Sequence, residues 1–450
     1  MTFSSVQNLF FSHSLTRTEG VLEKKISTID CETTSTLDVR NLDLSFPLDG
    51  EFSELHDVAE WWWALLQGRT PASDRTAGSL RTLELFCGAG GLAQGVKQFS
   101  REFGFQFESV AAADQDDEAV TVYQQNHQTP EEGLFRGSVE HLVDYKITDS
   151  EPEKSSWEIE PVLLHKPWER ILESGEIDLL LAGPPCQGHS NLNNHTRRND
   201  KRNESYLDVP ALAVAMNINA VIIENVPGVV HDYGQVVNTA KSLFKTSGYE
   251  VSMGVLSASK MGWPQTRSRH FMIATRDHSV VEVEGVMEAL TQQQPLPVWW
   301  AISDLENIER DEHMHRAPNY TKENLKRMAW FEKEKNAGIY DLPHKLHNET
   351  HKNGTTYPGV YGKLDPLKPA GTITSGFVSP GRGRYIHPTQ RRTIDPHEAA
   401  RLQGFPDSYN FTLGGKYPTS GMLTKWIGDA VPTPLGYAAA LAALSGKKRN

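Results

Sequence analysis

Cys186 is the residue of this sequence best placed for nucleophilic chemistry. It lies in the segment Leu-Ala-Gly-Pro-Pro-Cys-Gln-Gly at residues 181–188, directly after an apolar run that begins at Ile177. Proline restricts the backbone, and glycine lets a substrate approach the chain closely. A lone buried cysteine is usually a small apolar core residue. Its position here, at the end of a predicted buried strand, instead indicates a thiol that is presented to a substrate.

An acid and two arginines supply the partners that such a thiol needs. Glu224 follows an apolar run at residues 220–223, and Arg267 and Arg269 lie in a Gln-Thr-Arg-Ser-Arg segment. Cysteine can add to C6 of a pyrimidine, and a glutamic acid kept protonated by burial can bond N3. A guanidinium can hold the O2 carbonyl or a backbone phosphate. C5 then becomes nucleophilic and can accept a methyl group, so these residues together indicate attack on an electron-poor ring.

A glycine-rich loop is predicted to hold a cofactor. Residues 88–93 fit the pattern G-x-G-x-x-A between a predicted strand and a predicted helix, and Asp114 ends the next strand, where a carboxylate can bond a ribose hydroxyl. A nicotinamide dinucleotide and S-adenosylmethionine are both compatible with this loop. The carboxylate of Glu84, beside the loop, suits a cationic ligand better than a pyrophosphate and therefore favours S-adenosylmethionine.

Strand and helix signals alternate from about residue 80 to residue 275. The predicted strands are 83–86, 109–113, 178–182, 220–224, 250–256 and 270–275, and predicted helices include 92–99, 116–126, 396–403 and 434–441. This alternation predicts an α/β fold with a doubly wound, Rossmann-like sheet. In such sheets the carboxyl ends of the strands line the ligand crevice, which is where the predicted chemical groups lie.

The composition limits the classes of protein that need to be considered. The chain has 450 residues, of which 38% are hydrophobic and 23% charged, as in an ordinary globular protein of two or three domains. It has no apolar run of about 18 residues and no signal-peptide pattern, so we expect no membrane span. Its three cysteines, Cys31, Cys87 and Cys186, offer neither a disulfide framework nor paired metal ligands.

Charge is distributed unevenly along the chain. The formal net charge is −12, but residues 310–392 contain 15 Lys and Arg against 8 Asp and Glu. A basic segment in an acidic chain can contact phosphates, although a solvated charged surface would have the same composition. His344, His347 and His351 lie in this segment without the glutamate of a zinc motif. We therefore expect histidines that face solvent or a nucleic acid, and no metal.

The motifs, in this order, resemble those of the bacterial-type DNA cytosine-5 methyltransferases over residues 80–445. The similar segments are 86–91 (cofactor loop), 183–187 (nucleophile), 224–226 (acid), 265–269 (Q-x-R-x-R), 401–406 (brace of the recognition domain) and 428–432 (last motif). The resemblance implies that Cys186, Glu224, Arg267 and Arg269 are catalytic. It implies that S-adenosylmethionine is bound by Phe86, Gly88, Gly90, Gly91, Asp114, Pro185 and Val431.

The sequence departs from the family pattern at three positions. Asp429 stands where the last motif usually has Asn, which places an extra charge near the cofactor and the base. Gln115 follows Asp114 where members often have a tryptophan. Ser138 stands where an aspartate often bonds the adenine amino group. None of these changes removes a predicted catalytic group.

The resemblance also implies a domain organisation. We expect an N-terminal extension of unknown role (1–78), a cofactor-binding catalytic domain (79–275), a smaller loop-rich target recognition domain (276–390) and a C-terminal segment that returns to the catalytic domain (391–450). The polar stretch 188–203 would close over an extruded cytosine. Three adjacent tryptophans at 61–63 are expected to pack the extension onto the main body.

The expected partners follow from the same resemblance. We expect double-stranded DNA as substrate, a cognate restriction or other defence system, no membrane, a monomeric protein, and a bacterial cytoplasmic location at the nucleoid. Three alternatives stay open: a tRNA cytosine-5 methyltransferase, a catalytically inactive DNA-binding relative and a nicotinamide dehydrogenase. The long recognition segment argues against the tRNA enzyme, and the retained catalytic residues argue against an inactive relative. A dehydrogenase would have no use for the Pro-Pro-Cys-Gln unit.

Overall fold

The computed structural model describes residues 12–27, 32–42, 50–148, 151–185, 205–231, 234–308, 313–348 and 359–445. Its strands are β1 (Ser12–Thr18), β2 (Val21–Ser27), β3 (Glu32–Asp38), β4 (Ala72–Ser73), β5 (Ser79–Leu85), β6 (Gln106–Asp114), β7 (Leu134–Arg136), β8 (Val143–Ile147), β9 (Trp157–Leu163), β10 (Leu179–Ala182), β11 (Ala220–Asn225), β12 (Glu250–Ser257), β13 (Ser268–Thr275), β14 (Gly362–Lys363) and β15 (Arg384–Ile386).

The α-helices alternate with the strands of the central region and dominate the C-terminal part. They are α1 (His56–Leu66), α2 (Gly91–Glu102), α3 (Asp117–His127), α4 (Lys166–Glu173), α5 (Asp208–Ala215), α6 (Val236–Thr246), α7 (Val283–Leu290), α8 (Val298–Ile302), α9 (Lys322–Phe331), α10 (Pro396–Gln403), α11 (Ser420–Asp429) and α12 (Thr433–Leu444). In the described parts of the chain, no helix is long and apolar enough to cross a membrane.

The centre of the protein is a seven-stranded sheet in the order β12-β13-β11-β10-β5-β6-β7. Strands β5, β6, β7, β10 and β11 run parallel, and β13 is antiparallel to both of its neighbours. The chain first places β6 on one side of β5 and later places β10 on the other side. The strand order therefore reverses between β5 and β10, and such a reversal opens a ligand crevice at the carboxyl ends of the strands. The predicted doubly wound α/β fold is confirmed.

Helices cover both faces of this sheet and bury it. Strand β10 is buried at all four residues, because Leu179 and Leu181 face one core cluster while Leu180 and Ala182 face the other. Helix α12 is buried along its whole length and crosses α2 closely. At this crossing a Cβ on Gly95 would lie 2.2 Å from the carbonyl oxygen of Thr433. The glycine thus allows the C-terminal segment to reach the cofactor loop.

The N-terminal region forms an antiparallel sheet of β1, β2, β3 and β4. Beneath it Lys24 is buried, with its Nζ 3.0 Å from Glu102 Oε2 and 2.9 Å from the Tyr437 hydroxyl. The three tryptophans at 61–63 lie in the main core. Trp62 packs edge-to-face on Trp263 with ring centroids 5.3 Å apart. The prediction that these tryptophans pack the N-terminal region onto the body is confirmed.

The basic segment contains a small core of its own. Met328, Phe331, Leu342, Val360, Tyr361 and Ile386 form this cluster, separate from the two clusters that cover the central sheet. The preceding helix α7 instead packs on the sheet, where the Val283 amide donates to Ser252 Oγ at 3.0 Å. The short strands β14 and β15 pair next to the small core.

Candidate active site

The glycine loop lies at the reversal of strand order, directly after β5. Its backbone follows a path that most residues avoid: φ is +54° at Phe86, +48° at Gly88 and +85° at Gly90. An added Cβ on Gly88 would meet no atom within 4 Å, so this glycine borders open space in the crevice. Helix α2 begins at Gly91, whose amide end faces the same crevice.

Asp114 is held beside this loop at the end of β6. One carboxylate oxygen accepts the Gly88 amide at 2.9 Å, and the other accepts the Asp116 amide at 2.9 Å. Burial raises the pKa of Asp114, and these two amide bonds oppose that rise. The carboxylate is thus fixed at the crevice, where the sequence predicts a ribose-binding acid.

Glu84 lies in the core below the loop, so its carboxyl group does not by itself favour a cationic cofactor. Glu84 is 2% exposed, points into the core below the loop, and has the Tyr123 hydroxyl and the Ala93 amide as hydrogen-bond partners. Burial raises the pKa of Glu84 well above its ordinary value. A carboxyl group held below the loop by these partners does not identify the cofactor, so that choice depends on other residues.

The C-terminal segment closes the loop from the opposite side. A Cβ on Gly91 would lie 2.5 Å from the carbonyl oxygen of Val431, so that turn lies directly on the start of α2. The Tyr409 hydroxyl donates to the carbonyl of Ala89 at 2.5 Å and lies 3.1 Å from His127 Nε2. Tyr409 and His127 were not identified from the sequence, because neither belongs to a motif with a recognisable spacing.

Cys186 lies outside the described residues, but the chain that leads to it is described up to Pro185. The Gly183 amide donates to the Leu85 carbonyl at 3.4 Å, which ties this segment to the end of β5. Asn225 Nδ2 donates to the Pro184 carbonyl at 3.3 Å, which ties it to the end of β11. The predicted nucleophile therefore follows a segment held between the glycine loop and the strand that carries Glu224.

Glu224 and Arg269 form a buried ion pair at the end of β11. Arg269 Nε lies 2.8 Å from Glu224 Oε1, and the two side chains are 13% and 10% exposed. A Cβ on Gly183 would lie 3.7 Å from Glu224 Oε2, so the carboxyl group borders the segment that leads to Cys186. Burial raises the pKa of Glu224, and the charges of Arg269 and Arg267 offset part of that rise. Burial thus favours the protonated form of this acid, as a group that is to donate a proton requires.

Arg267 has a different environment from Arg269. Its Nη1 donates to the carbonyls of Ile373 at 2.5 Å and Gly428 at 2.9 Å, and its Nη2 donates to the Asp429 carbonyl at 3.4 Å. The sequence predicts both arginines beside the base or a phosphate, whereas these bonds commit the Arg267 guanidinium to backbone carbonyls. Because it still acts electrostatically on Glu224, it joins the predicted acid to the C-terminal part of the chain.

Gln265, Gln403 and Arg401 connect the 265–269 motif to the 401–406 motif and its surroundings. Gln265 Nε2 donates to the Leu402 carbonyl at 2.7 Å and to Gln403 Oε1 at 3.0 Å. Arg401 donates to Asp407 through two nitrogens, each at 2.7 Å, and to Asp304 at 2.6 Å. The segment 401–406 therefore connects α8 and the turn after it to the loop that leads into β13, in line with the bracing role implied by the resemblance.

Two groups of side chains have the chemistry of metal ligands. They are His344, His347 and His351 of the basic segment, and His56, Asp57 and Glu60 of α1. His347 Nε2 lies 3.1 Å from the Leu342 carbonyl, and His351 lies outside the described residues. His56, Asp57 and Glu60 lie close together, but Arg17 donates to both carboxylates and already supplies their countercharge.

Comparison with known proteins agrees with this geometry. The family model "C-5 cytosine-specific DNA methylase" matches residues 80–444. Type II methyltransferase M1.BsuMI of Bacillus subtilis is 34% identical over 397 residues, which is 87% of each chain. Type II methylase M.HgiDII of Herpetosiphon aurantiacus is 29% identical over 369 residues, covering 79% of this chain and 92% of that protein.

Solved structures share the fold. A DNA modification methyltransferase encoded within an E. coli prophage aligns with a TM-score of 0.52 at 21% identity, over 80% of this chain and 97% of that one. A DNMT2 mutant of Spodoptera frugiperda aligns with a TM-score of 0.50 at 17% identity, over 80% and 98%. The family match covers the sheet, the glycine loop and the Glu224–Arg269 pair together. The chain therefore belongs to the C-5 cytosine-specific DNA methylases and is a DNA cytosine-5 methyltransferase.

Proposed function

We propose that this enzyme transfers a methyl group from S-adenosylmethionine to C5 of a cytosine that is extruded from a specific duplex DNA sequence. The observation that carries the proposal is the position of the buried Glu224–Arg269 pair. It lies beside the segment that ends at Pro185, one residue before Cys186, and across the reversal of strand order from the glycine loop. A nucleophile, an acid and a cofactor loop thus border one crevice.

The residues of the loop fit the proposed cofactor. Gly88 borders open space, Asp114 presents a fixed carboxylate for ribose hydroxyls, and Val431 closes the loop from the C-terminal side. We assign Phe86, Gly90, Gly91 and Pro185 to the same site, because they form the walls of this turn. When bound, S-adenosylmethionine would supply an electrophilic methyl group.

The protein residues would carry out the ring chemistry in two stages. The Cys186 thiolate adds to C6 of cytosine, while Glu224 donates its proton towards N3, so that negative charge does not build on the ring. C5 thereby becomes nucleophilic and is alkylated. Loss of the C5 proton to a base or water in the crevice, expulsion of the thiolate from C6 and return of the N3 proton to Glu224 would then restore the aromatic ring and free Cys186.

Arg269 and Arg267 would have separate roles in this mechanism. Arg269 contacts Glu224 and holds its carboxyl group towards the base, from where its remaining donors can reach the O2 carbonyl. Arg267, which bonds three backbone carbonyls, acts as a positioning residue that fixes the C-terminal turn against the crevice.

We further propose that residues 276–390 contain the unit that reads the DNA sequence. This span holds the basic surplus and the separate small core around Phe331 and Tyr361. Cytosine must leave the duplex for C6 to be attacked, so the reading unit and the catalytic crevice have to face the same DNA. The names of the bacterial type II relatives support a cognate restriction system. We also propose that the enzyme is a monomer that acts on DNA in the cytoplasm, at the nucleoid.

A direct assay distinguishes this proposal from the alternatives. Purified protein is incubated with methyl-labelled S-adenosylmethionine and with duplex DNA or tRNA, and bisulfite sequencing locates the product. We expect label only in the duplex, at one cytosine within a fixed sequence. Label in tRNA would support the tRNA branch, and tight DNA binding without label would support an inactive relative.

A further inference from the structure

Tyr409 and His127 bring two polar atoms together on the buried side of the glycine loop. A Cβ on Gly90 would lie 2.4 Å from His127 Nε2 and 2.7 Å from the Tyr409 hydroxyl oxygen, so these two atoms fill the space beside that residue. The same hydroxyl donates a hydrogen bond to the carbonyl of Ala89 at 2.5 Å. Two successive residues of the loop are therefore held by one pair of side chains.

The direction of the hydrogen bonds in this pair can be assigned. His127 Nε2 lies 3.1 Å from the Tyr409 hydroxyl oxygen. Because the hydroxyl gives its single proton to Ala89, it accepts the Nε2–H of His127. Burial lowers the pKa of His127 to about 3, so the imidazole is neutral and carries one proton. Its Nδ1, which has no hydrogen-bond partner among the described residues, is then the unprotonated nitrogen.

Neighbouring aromatic rings fix the positions of both side chains. The Tyr409 ring packs on Phe405 and Phe411, with centroids 4.6 Å and 5.1 Å apart, and the His127 ring packs on Tyr123 at 4.5 Å. Tyr409 follows the 401–406 motif, whereas His127 is the last residue of α3. The hydroxyl and the imidazole thus reach the loop from two separate parts of the chain, each held by its own packing.

The glycine loop needs such support because of its backbone conformation. Its φ angle is positive at Phe86, Gly88 and Gly90, and a residue other than glycine adopts such an angle only when its surroundings stabilise it. An added Cβ on Gly88 would meet no atom within 4 Å, so at this residue the crevice side offers no support. The hydrogen bond from Tyr409 to Ala89 supplies a fixed contact on the opposite side.

We propose that Tyr409, supported by His127, is a positioning residue that holds the glycine loop in the form that binds the cofactor. The inference rests on the proposed function, because it takes the ligand of this loop to be S-adenosylmethionine. A loop that is fixed before binding has less conformational entropy to lose when the ligand arrives, which increases affinity. The loop and Asp114 would contact the ribose-bearing part of the ligand, which S-adenosylhomocysteine shares. Tyr409 therefore contributes to the affinity for both molecules.

The test measures binding without catalysis. Isothermal titration of the full chain gives the Kd values for S-adenosylmethionine and for S-adenosylhomocysteine. Tyr409→Phe keeps the aromatic ring and removes only the hydroxyl that binds Ala89. We expect both Kd values to rise about 3- to 10-fold, as for the loss of one hydrogen bond.

Tyr320→Phe is a matched control in the basic segment. It also removes a tyrosine hydroxyl that binds the backbone, since the Thr393 amide donates to the Tyr320 hydroxyl at 2.9 Å. Both variants should lower the melting temperature, whereas only Tyr409→Phe should weaken binding of the two ligands. A lower melting temperature of Tyr409→Phe with unchanged Kd values, or an equal change of Kd in both variants, would overturn the inference.

Two variants of His127 test the pair without altering Tyr409. Glutamine at this position can still donate to the Tyr409 hydroxyl, and leucine cannot. We expect His127→Leu to raise both Kd values about 2- to 5-fold and His127→Gln to change them less than about twofold. Equal effects of the two variants would contradict the inference alone. Failure of the wild-type protein to bind either ligand would overturn the proposed cofactor, and this inference with it.

Discussion

Two buried ion pairs in this protein show how the same interaction serves different ends. Arg269 and Glu224 pair at 2.8 Å in the catalytic crevice, and Lys24 and Glu102 pair at 3.0 Å below the N-terminal sheet. The first pair borders the segment that leads to the nucleophile. In the second pair, Lys24 also bonds the hydroxyl of Tyr437, which is 413 residues away in sequence, and aromatic rings enclose its ammonium group.

The two pairs differ in whether a charged group still faces the crevice. Lys24 is surrounded by Trp61, Trp62 and Tyr437, so its charge is used entirely within the core. Glu224 keeps one carboxylate oxygen towards Gly183 and has a raised pKa, so its proton is available for chemistry. In this protein the pair that borders the segment leading to Cys186 is the one we assign to catalysis, and the pair enclosed by aromatic rings joins the N-terminal sheet to the core.

The largest expected effect tests the catalytic pair. Glu224→Gln keeps the shape and can still accept from Arg269, but it removes the acid. We expect methyl transfer per folded molecule to slow by about 10²–10⁴-fold, and the melting temperature to fall, because Arg269 loses its buried countercharge. Single-turnover assays on duplex DNA and thermal denaturation measure the two quantities. Near-normal turnover would exclude Glu224 from the mechanism.

The pH dependence of the same reaction provides a further check on Glu224. Since its protonated form is the active one, the rate should fall as pH rises through the raised pKa of Glu224. This alkaline decline should be absent from the residual activity of Glu224→Gln. A decline that persists in the variant would have to come from another group.

The second prediction concerns the architectural pair. Lys24→Met preserves the length and apolar part of the side chain but leaves Glu102, which is 1% exposed, without its cation. We expect a loss of about 3 kcal/mol in the free energy of unfolding, as for other buried pairs that lose one partner. The rate per folded molecule should be preserved. Chemical denaturation and active-site titration separate the two effects, and a catalytic loss at unchanged stability would contradict the distinction between the pairs.

A smaller effect is expected from a buried histidine below the cofactor loop. Burial lowers the pKa of His127 to about 3, whereas an unfolded chain binds a proton there near 6.5. The contribution of neutral His127 to stability is therefore complete above pH 6.5 and is lost as the pH falls from there towards 3. In that range it accounts for about 1.4 kcal/mol per pH unit. His127→Gln should reduce the slope of stability against pH, as urea denaturation between pH 6.5 and 4.5 would show.

Much of the catalytic sheet is predictable from the sequence, because its strands are continuous apolar runs. The predicted strand at residues 220–224 and the observed β11 differ by one residue, and helix α10 was predicted with its observed bounds. The sequence does not predict the N-terminal sheet, because polar residues such as Lys24 and Thr34 interrupt the apolar pattern of its strands. Lys24 can be buried only because Glu102 and Tyr437 bind its ammonium group. Long-range partners of this kind leave no local pattern.

The candidate site shows the same limit. The motifs identify Glu224 and Asp114, because each follows an apolar strand directly. The motifs do not show that Arg267 and Arg269 have different roles. The carbonyl groups that accept hydrogen bonds from Arg267 belong to residues at least 106 positions away in the sequence. Nor do the motifs show that Glu84 is turned into the core, which depends on how β5 faces α2 and α3.

The central claim is that the Cys186 thiolate forms a covalent bond to C6 of an extruded cytosine. The most direct test incubates the enzyme and S-adenosylmethionine with a duplex that carries 5-fluorocytosine at the target position, because the C5 fluorine cannot leave and the adduct persists. Mass spectrometry should find the oligonucleotide attached to a peptide that contains Cys186, and none with Cys186→Ser. Methylation of the normal duplex with no such adduct, or an adduct on a different residue, would contradict the account.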